Sequence, residues 1–303
     1  METVLLVLPL FALIFLGYGL RKTSFLSSQF AFEANRLVYY ITLPATIIAE
    51  MIKIAPEDLG RPELVIGYPL VVILTAALAL ALSLLIRYER RGAFAQICYR
   101  ANLAYFGLPI ASTAFGAESL AFISVIIAIG IIINTALSIT VLKLLSPQED
   151  RTSIRARLAT VVRNPLIIAV ALGLGIGFSG ITLPGVVIDT VELIGRISLP
   201  LVLLVVGFSL SFSRLGGSLP VNLVAAAIKL AAMPLIAYAV LTGVFGAEGL
   251  IRDVTVVMSA MPTAAVSQSF AARFGADEQV TAAGVSLNTL LAMLTVPLWL
   301  AVV

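Results

Sequence analysis

The chain has 303 residues, 60% of them apolar and 12% charged, with a mean hydropathy of +1.10 and a net charge of +3. A soluble domain carries roughly 25% charged residues to solvate its surface, so this composition excludes a water-exposed globule and makes lipid the main solvent. Histidine is absent and Cys98 is the single cysteine, which excludes a His/Cys metal site, a Cys–His nucleophile and an intramolecular disulfide; the small net charge gives no reason for a nucleic-acid partner.

A bilayer crossing takes about 20 apolar residues. Windows of that kind fall near 3–20, 30–52, 64–86, 93–116, 119–145, 163–180, 186–211, 219–243, 250–273 and 279–302. They predict an all-α integral membrane protein of about ten transmembrane helices, one polytopic unit over 1–303. The first window has no basic region before it and no small-residue cleavage site after it, so it reads as a span and not as a signal peptide. The longest polar connection runs from Ser146 to Arg163 and holds Glu149, Asp150, Arg151, Arg155 and Arg157. Basic residues crowd the odd-numbered loops (Arg21, Lys22, Arg87, Arg90, Arg91, Lys143, Arg214 and Arg273 among them), whereas the even side holds Lys53, Arg61 and Arg252. The positive-inside rule makes the odd loops cytoplasmic and turns both termini outward, to the periplasmic or extracellular side.

Short segments recur at about half the chain length and in the same order. Leu16-Gly17-Tyr18-Gly19 returns as Leu174-Gly175-Ile176-Gly177, and Ile41-Thr42-Leu43-Pro44 as Ile197-Ser198-Leu199-Pro200. Phe115-Gly116-Ala117-Glu118 returns as Phe274-Gly275-Ala276-Asp277, and Asn134-Thr135-Ala136-Leu137 as Asn288-Thr289-Leu290-Leu291. With five spans per half, the second copy enters from the opposite face. The expectation is an inverted repeat, 1–145 and 163–303, as in many secondary transporters.

Such repeats place the site at mid-membrane, where corresponding helices are broken. Spans 4 and 9 carry the matching breaks, Arg100-Ala101-Asn102 through Gly107-Leu108-Pro109, and Met261-Pro262-Thr263 through Ser267-Gln268. Proline suits the first position of a helix, so Pro109 and Pro262 are each expected to start a second half-helix, whose positive end and free N–H groups suit an anion. Asn102, Ser112, Thr113, Thr263, Ser267 and Gln268 are the candidate lining groups. Asn134, Thr135, Asn288 and Thr289, from the repeated Asn-Thr pairs, are candidate oxygen ligands for a coupling cation; adhesion between helices is the other reading of the asparagines. Pro44 and Pro200 sit in aliphatic surroundings and read as kinks in a packing scaffold.

Charges inside spans demand a partner or a watery cavity. Glu33 with Arg36, and Glu192 with Arg196, have helical spacing for self-pairing. Two roles stay open for Arg100, contact with the substrate's negative group or snorkelling to the interface, and Lys229 is equally open. Glu118 and Asp277 read as interfacial and structural.

The segments around Asn102 and Pro109, around Pro262 and Asp277, and Asn164-Pro165 at the start of span 6 resemble the auxin efflux carrier family. That family includes plant PIN carriers and bacterial carriers for malonate, malate and related acids, within the bile acid/arsenite/riboflavin transporter superfamily. The resemblance implies a crossover fold like those of bile-acid symporters and sodium/proton antiporters. It also implies a scaffold of spans 1, 2, 6 and 7, a transport domain of spans 3–5 and 8–10, elevator-type alternating access and a homodimer formed through the scaffold. Asn102 matches the span-4 asparagine that helps hold the substrate carboxylate in the plant carriers. Span 9 departs from them, with Thr263-Ala264-Ala265 where the plant proteins place an asparagine, which argues against indole-acetate.

The expected function is therefore secondary transport of a small mono- or dicarboxylate across the bacterial inner membrane, with Na⁺ or H⁺ as coupling ion or the membrane potential alone as driving force, and no other cofactor. A sodium/proton antiporter on a similar crossover would carry a carboxylate at the crossing, and neither proline has one beside it. A passive anion channel is the remaining alternative. An enzyme lacks any acid–base or nucleophile constellation here.

Overall fold

The computed structural model describes residues 2–53, 60–145, 162–210 and 218–303, with side chains from Leu8 onward. Glu149, Asp150, Arg151, Arg155, Arg157 and Arg214 lie outside the described residues. Helices fill the apolar windows. They are α1 (Glu2–Lys22), α2 (Ser28–Leu37), α3 (Leu43–Met51), α4 (Tyr68–Ser83), α5 (Tyr88–Tyr99), α6 (Leu108–Phe115) and α7 (Ser119–Leu145). The second half holds α8 (Pro165–Phe178), α9 (Gly185–Arg196), α10 (Ser198–Ser209), α11 (Leu219–Ala227), α12 (Met233–Gly243), α13 (Leu250–Ser259), α14 (Ser267–Phe274) and α15 (Glu278–Val302). Among the described residues, five runs are long and apolar enough to cross a membrane unaided: Glu63–Ser83, Ser119–Leu145, Gly185–Ser209, Leu219–Gly243 and Glu278–Val302. Large apolar side chains stand uncovered on them, Val186 at 77% and Leu294 at 69% exposure, as a lipid-facing surface requires. The fold is all-α and membrane-embedded.

Four helices carry the same device, two of them in mid-course and two in their first turns. A π turn occupies Val38–Thr42, Glu63–Gly67, Leu103–Gly107 and Ile228–Ala232, and a proline follows two residues after each, at Pro44, Pro69, Pro109 and Pro234. Proline lacks an N–H and its ring collides with the carbonyl four residues back. Widening the preceding turn relieves that collision without ending the helix. Helix starts are closed by side chains: Asn164 accepts from the Leu166 N–H and Asp277 from the Val280 N–H, each at 2.9 Å. Asp277 also lies 3.7 Å from Arg90, which fits its expected structural role, and Glu118 is exposed.

The chain divides into two compact units. The first comprises Met1–Arg61, Ala104–Ala128 and Ile154–Leu210. Within it α1 packs on α10 and α3 on α8. Glycine makes both possible. A Cβ on Gly17 would strike the Leu204 backbone, one on Gly207 the Ile14 carbonyl, and one on Gly177 would lie 2.8 Å from the Ile52 carbonyl. Beyond α3, Lys53 bonds Glu192 at 2.8 Å, and that carboxylate holds the lysine above its usual pKa. Glu192 therefore serves Lys53 more closely than Arg196, which is 3.8 Å away, whereas Glu33 and Arg36 pair at 3.3 Å as expected.

The second unit comprises Pro62–Leu103, Ile129–Ser153 and Ser211–Val303. Here α4 packs on α5 and α12, α11 on α15 and α5, and α14 on α15. The Trp299 indole N–H bonds the Leu230 carbonyl at 2.8 Å, tying α15 to the π turn of span 8.

Candidate functional site

The stretches that open the two breaks, Arg100–Asn102 and Pro262 with Thr263, meet inside the second unit. α5 stops at Tyr99 and α13 at Ser259, and the chain beyond each runs extended through Arg100–Asn102 and through Pro262 and Thr263. These two stretches pair antiparallel, and Ala101–Thr263 is the one β bridge among the described residues. The Asn102 N–H donates to the Pro262 carbonyl at 2.8 Å, and the Ala264 N–H to the Arg100 carbonyl at 3.0 Å. The Thr263 hydroxyl donates to the Ile97 carbonyl at 2.7 Å. A helix end leaves its last carbonyls without an intrahelical donor, so this hydroxyl closes one of those left open at the end of α5. Each break satisfies the other, which lets non-helical backbone lie deep in the fold. Asn102 and Thr263 are buried, as are Met261 and Ala264.

Arg100 is buried at 6% exposure beside this pairing. Its guanidinium donates to the Asn134 carbonyl at 3.1 Å and to the Ser138 hydroxyl, and stands 4.2 Å from the centre of the Phe270 ring. The snorkelling role is overturned: the charge turns inward, fixed by α7 on one side and by the face of an α14 aromatic on the other. Lys229 is fully buried too, with its ammonium 2.6 Å from the Ser259 carbonyl.

Several buried polar atoms of this unit have no protein hydrogen-bond partner among the described residues. They include Gln96 Oε1 and Nε2, Asn134 Oδ1, Ser267 Oγ and Asn288 Oδ1. Buried groups of this kind are costly unless something polar reaches them. Asn288 Nδ2 bonds the Gly284 carbonyl and Thr289 Oγ1 the Val285 carbonyl, each within α15, and Thr135 is buried on α7. Gly130 is a contact point: a Cβ there would strike the Leu103 side chain and lie 3.2 Å from the Tyr68 ring and 3.7 Å from Asn134 Nδ2.

The sequence-predicted residues thus separate. Arg100, Asn102, Pro262, Thr263, Ser267, Gln268, Asn134, Thr135, Asn288 and Thr289 belong to the second unit. Gly107, Pro109, Ser112 and Thr113 belong to the first, and both hydroxyls bond the Pro109 carbonyl of their own helix, at 3.2 and 2.8 Å. The prolines do not stand where a helix-starting role put them. Pro109 lies after the π turn Leu103–Gly107, so helical backbone has already begun at Leu103. Pro262 lies in the extended stretch, and α14 starts later, at Ser267. Sequence reasoning missed Ser138, Phe270 and Tyr68. Ser138 was the most accessible of them, one helical turn after Asn134 on the same face.

A family model described as "Membrane transport protein" matches residues 3–156 and 151–300 of the chain. An uncharacterized transporter of Methanocaldococcus jannaschii is 24% identical over 307 residues, covering 99% of this chain and 97% of the relative. An uncharacterized transporter of Methanothermobacter thermautotrophicus is 25% identical over 305 residues, covering 98% and 96%.

Proposed function

The chain belongs to the membrane transport protein family, and on that premise we propose that it is a secondary transporter of small organic anions, mono- or dicarboxylates of the malonate and malate kind. The observation that carries this reading is the paired break, Asn102 N–H on the Pro262 carbonyl at 2.8 Å, with the buried Arg100 guanidinium beginning the same stretch. A buried cation next to irregular backbone favours a negatively charged ligand. The Asn102 side-chain amide both donates and accepts, and so suits a carboxylate whose other oxygen turns to a charge. Gln96 and Ser267 hold hydrogen-bonding atoms in reserve nearby in the chain.

Spans 1, 2, 6 and 7 serve as scaffold and spans 3–5 and 8–10 carry the substrate in an elevator-type exchange between the two faces of the bacterial inner membrane, with both termini outside; the division into units differs in grouping Ala104–Ala128, of spans 4 and 5, with the first unit. The glycine-mediated backbone contacts of α1 with α10 and of α3 with α8 support a rigid scaffold. The stretches Arg100–Asn102 and Ala260–Val266 contain no Asp or Glu, which disfavours a sodium/proton antiporter.

Counterflow in proteoliposomes tests the proposal. Vesicles loaded with unlabelled acid and diluted into labelled malonate, malate or a monocarboxylate accumulate label transiently if a carrier exchanges them. A channel only equilibrates, and that outcome for every acid would refute the carrier.

A further inference from the structure

Tyr68 opens α4 directly after the π turn Glu63–Gly67, and Asn134 lies in α7. The two side chains meet over Gly130: a Cβ there would lie 3.2 Å from the Tyr68 ring and 3.7 Å from Asn134 Nδ2. It would also overlap the side chain of Leu103, so that leucine, the residue after Asn102, fills the space against Gly130. Asn134 is tied to the crossing a second time, because its backbone carbonyl accepts from Arg100 at 3.1 Å. Tyr68 is fully buried and Asn134 is 4% exposed, yet Tyr68 Oη and Asn134 Oδ1 have no protein hydrogen-bond partner among the described residues.

Packing does not explain these two groups. Met233 follows the π turn Ile228–Ala232 and precedes Pro234, as Tyr68 follows its own turn and precedes Pro69. Met233 is fully buried too, with no hydroxyl to satisfy. Asn288 stands four residues after Gly284, as Asn134 stands four after Gly130, and its Nδ2 donates to the Gly284 carbonyl at 2.9 Å. The Asn134 side chain makes no such bond within α7 among the described residues. A buried polar atom without a partner is costly, and phenylalanine and leucine would fill the same space without that penalty.

The chemistry of the two atoms specifies the group that fits them. Asn134 Oδ1 only accepts, whereas the Tyr68 hydroxyl can donate. A carboxylate oxygen also only accepts, and Asn134 Oδ1 would repel it. An alcohol hydroxyl satisfies both, giving its proton to Asn134 and taking one from Tyr68. Tyr68, Asn134, Leu103 and Gly130 bring no charge, which suits a neutral group and not a second carboxylate.

We propose that Tyr68 and Asn134 are specificity residues that read a hydroxyl on the substrate, and that the transported acid is a small hydroxycarboxylate. Leu103 covers the pair in this structure and swings aside to admit the group. The inference rests on the carrier reading above and names the substrate class of that site.

The test uses the full-length protein in proteoliposomes, wild type beside Tyr68→Phe and Asn134→Leu. The acids form pairs that differ only in the hydroxyl, malate against succinate and lactate against propionate. Maximal exchange rate over KM is read for each acid and expressed as a hydroxy-to-deoxy ratio. Melting temperature in detergent is read with and without each acid. Wild type should favour the hydroxy member of at least one pair by about tenfold or more, since a site built around a hydroxyl leaves its own groups unpaired against the analogue lacking it. Tyr68→Phe should lower that ratio by about tenfold and melt no lower than wild type, because the lost oxygen has no protein partner.

A wild-type ratio near one for both pairs overturns the proposal and leaves Tyr68 and Asn134 to hold a water. A ratio that Tyr68→Phe leaves at the wild-type value also overturns it. Should Tyr68→Phe not fold, Asn134→Leu decides in the same way, since it removes the amide and keeps the backbone carbonyl on Arg100. If wild type exchanges no acid, the carrier reading fails and the melting shifts decide the subsite. A rise with a hydroxy acid and not with its deoxy partner, lost in Tyr68→Phe, supports it, and equal shifts or none overturn it.

Discussion

Asn102 gives its backbone N–H to the carbonyl of Pro262 at 2.8 Å, and its side-chain amide has no share in that bond. The architecture of the crossing and the chemistry offered to a ligand therefore belong to different atoms of one residue. Asn102→Ala removes the amide and keeps the bridge. It should lower carboxylate exchange by about tenfold or more while the protein stays folded around the retained bridge.

Asn102→Pro inverts that outcome. Proline removes the N–H, leaving the buried Pro262 carbonyl without its donor, a cost of about 1–3 kcal/mol. Thermal melting should fall further for this variant than for Asn102→Ala.

Thr263 tests the closure of α5. Thr263→Val is nearly isosteric but removes the hydroxyl on the Ile97 carbonyl, 2.7 Å away in a fully buried site. We expect a loss of about 1–3 kcal/mol in stability, with Thr263→Ser close to wild type. Melting of the two variants side by side checks this.

Arg100 has a planar charge whose Nη1 serves both Asn134 and Ser138 while its face meets Phe270. Lysine keeps the charge and loses the guanidinium plane and its stacking. Arg100→Lys should raise the KM for the acid several-fold more than it lowers the maximal rate, and Phe270→Leu should do so more weakly, in line with about 0.5–2 kcal/mol for the ring contact. Initial exchange rates against substrate concentration separate the two parameters.

In the first unit, Gly207→Ala should be severely destabilising, because the added methyl meets the Ile14 carbonyl, which is backbone and cannot rotate away. Gly19→Ala has nothing within 4 Å and should be neutral. Melting temperatures of the two variants are the check.

The helical windows and the two breaks were legible in the sequence because the apolar runs and the paired prolines report directly on lipid and on interrupted hydrogen bonding. The role of each proline was not. Whether a proline starts a helix or follows a widened turn depends on how the preceding carbonyls are satisfied, and the π turn before Pro109 has no residue-type signature. Pro262 accepts through its carbonyl, an atom every residue has, so only the partner Asn102 gives it a function. Arg100 and Lys229 show the same limit. Their burial is decided by Phe270, Ser138 and Ser259, residues distant in sequence, while local charge spacing sufficed for Glu33 with Arg36.

The most direct measurement is substrate-induced charge movement in proteoliposomes adsorbed on a solid-supported membrane, wild type beside Asn102→Ala. A panel of mono- and dicarboxylates and indole-acetate is applied by rapid exchange. Wild type should give a saturable current for a small carboxylate and little for indole-acetate, and Asn102→Ala, equally folded, should give none. Equal currents in the two proteins would contradict binding at the crossing of Asn102 and Pro262.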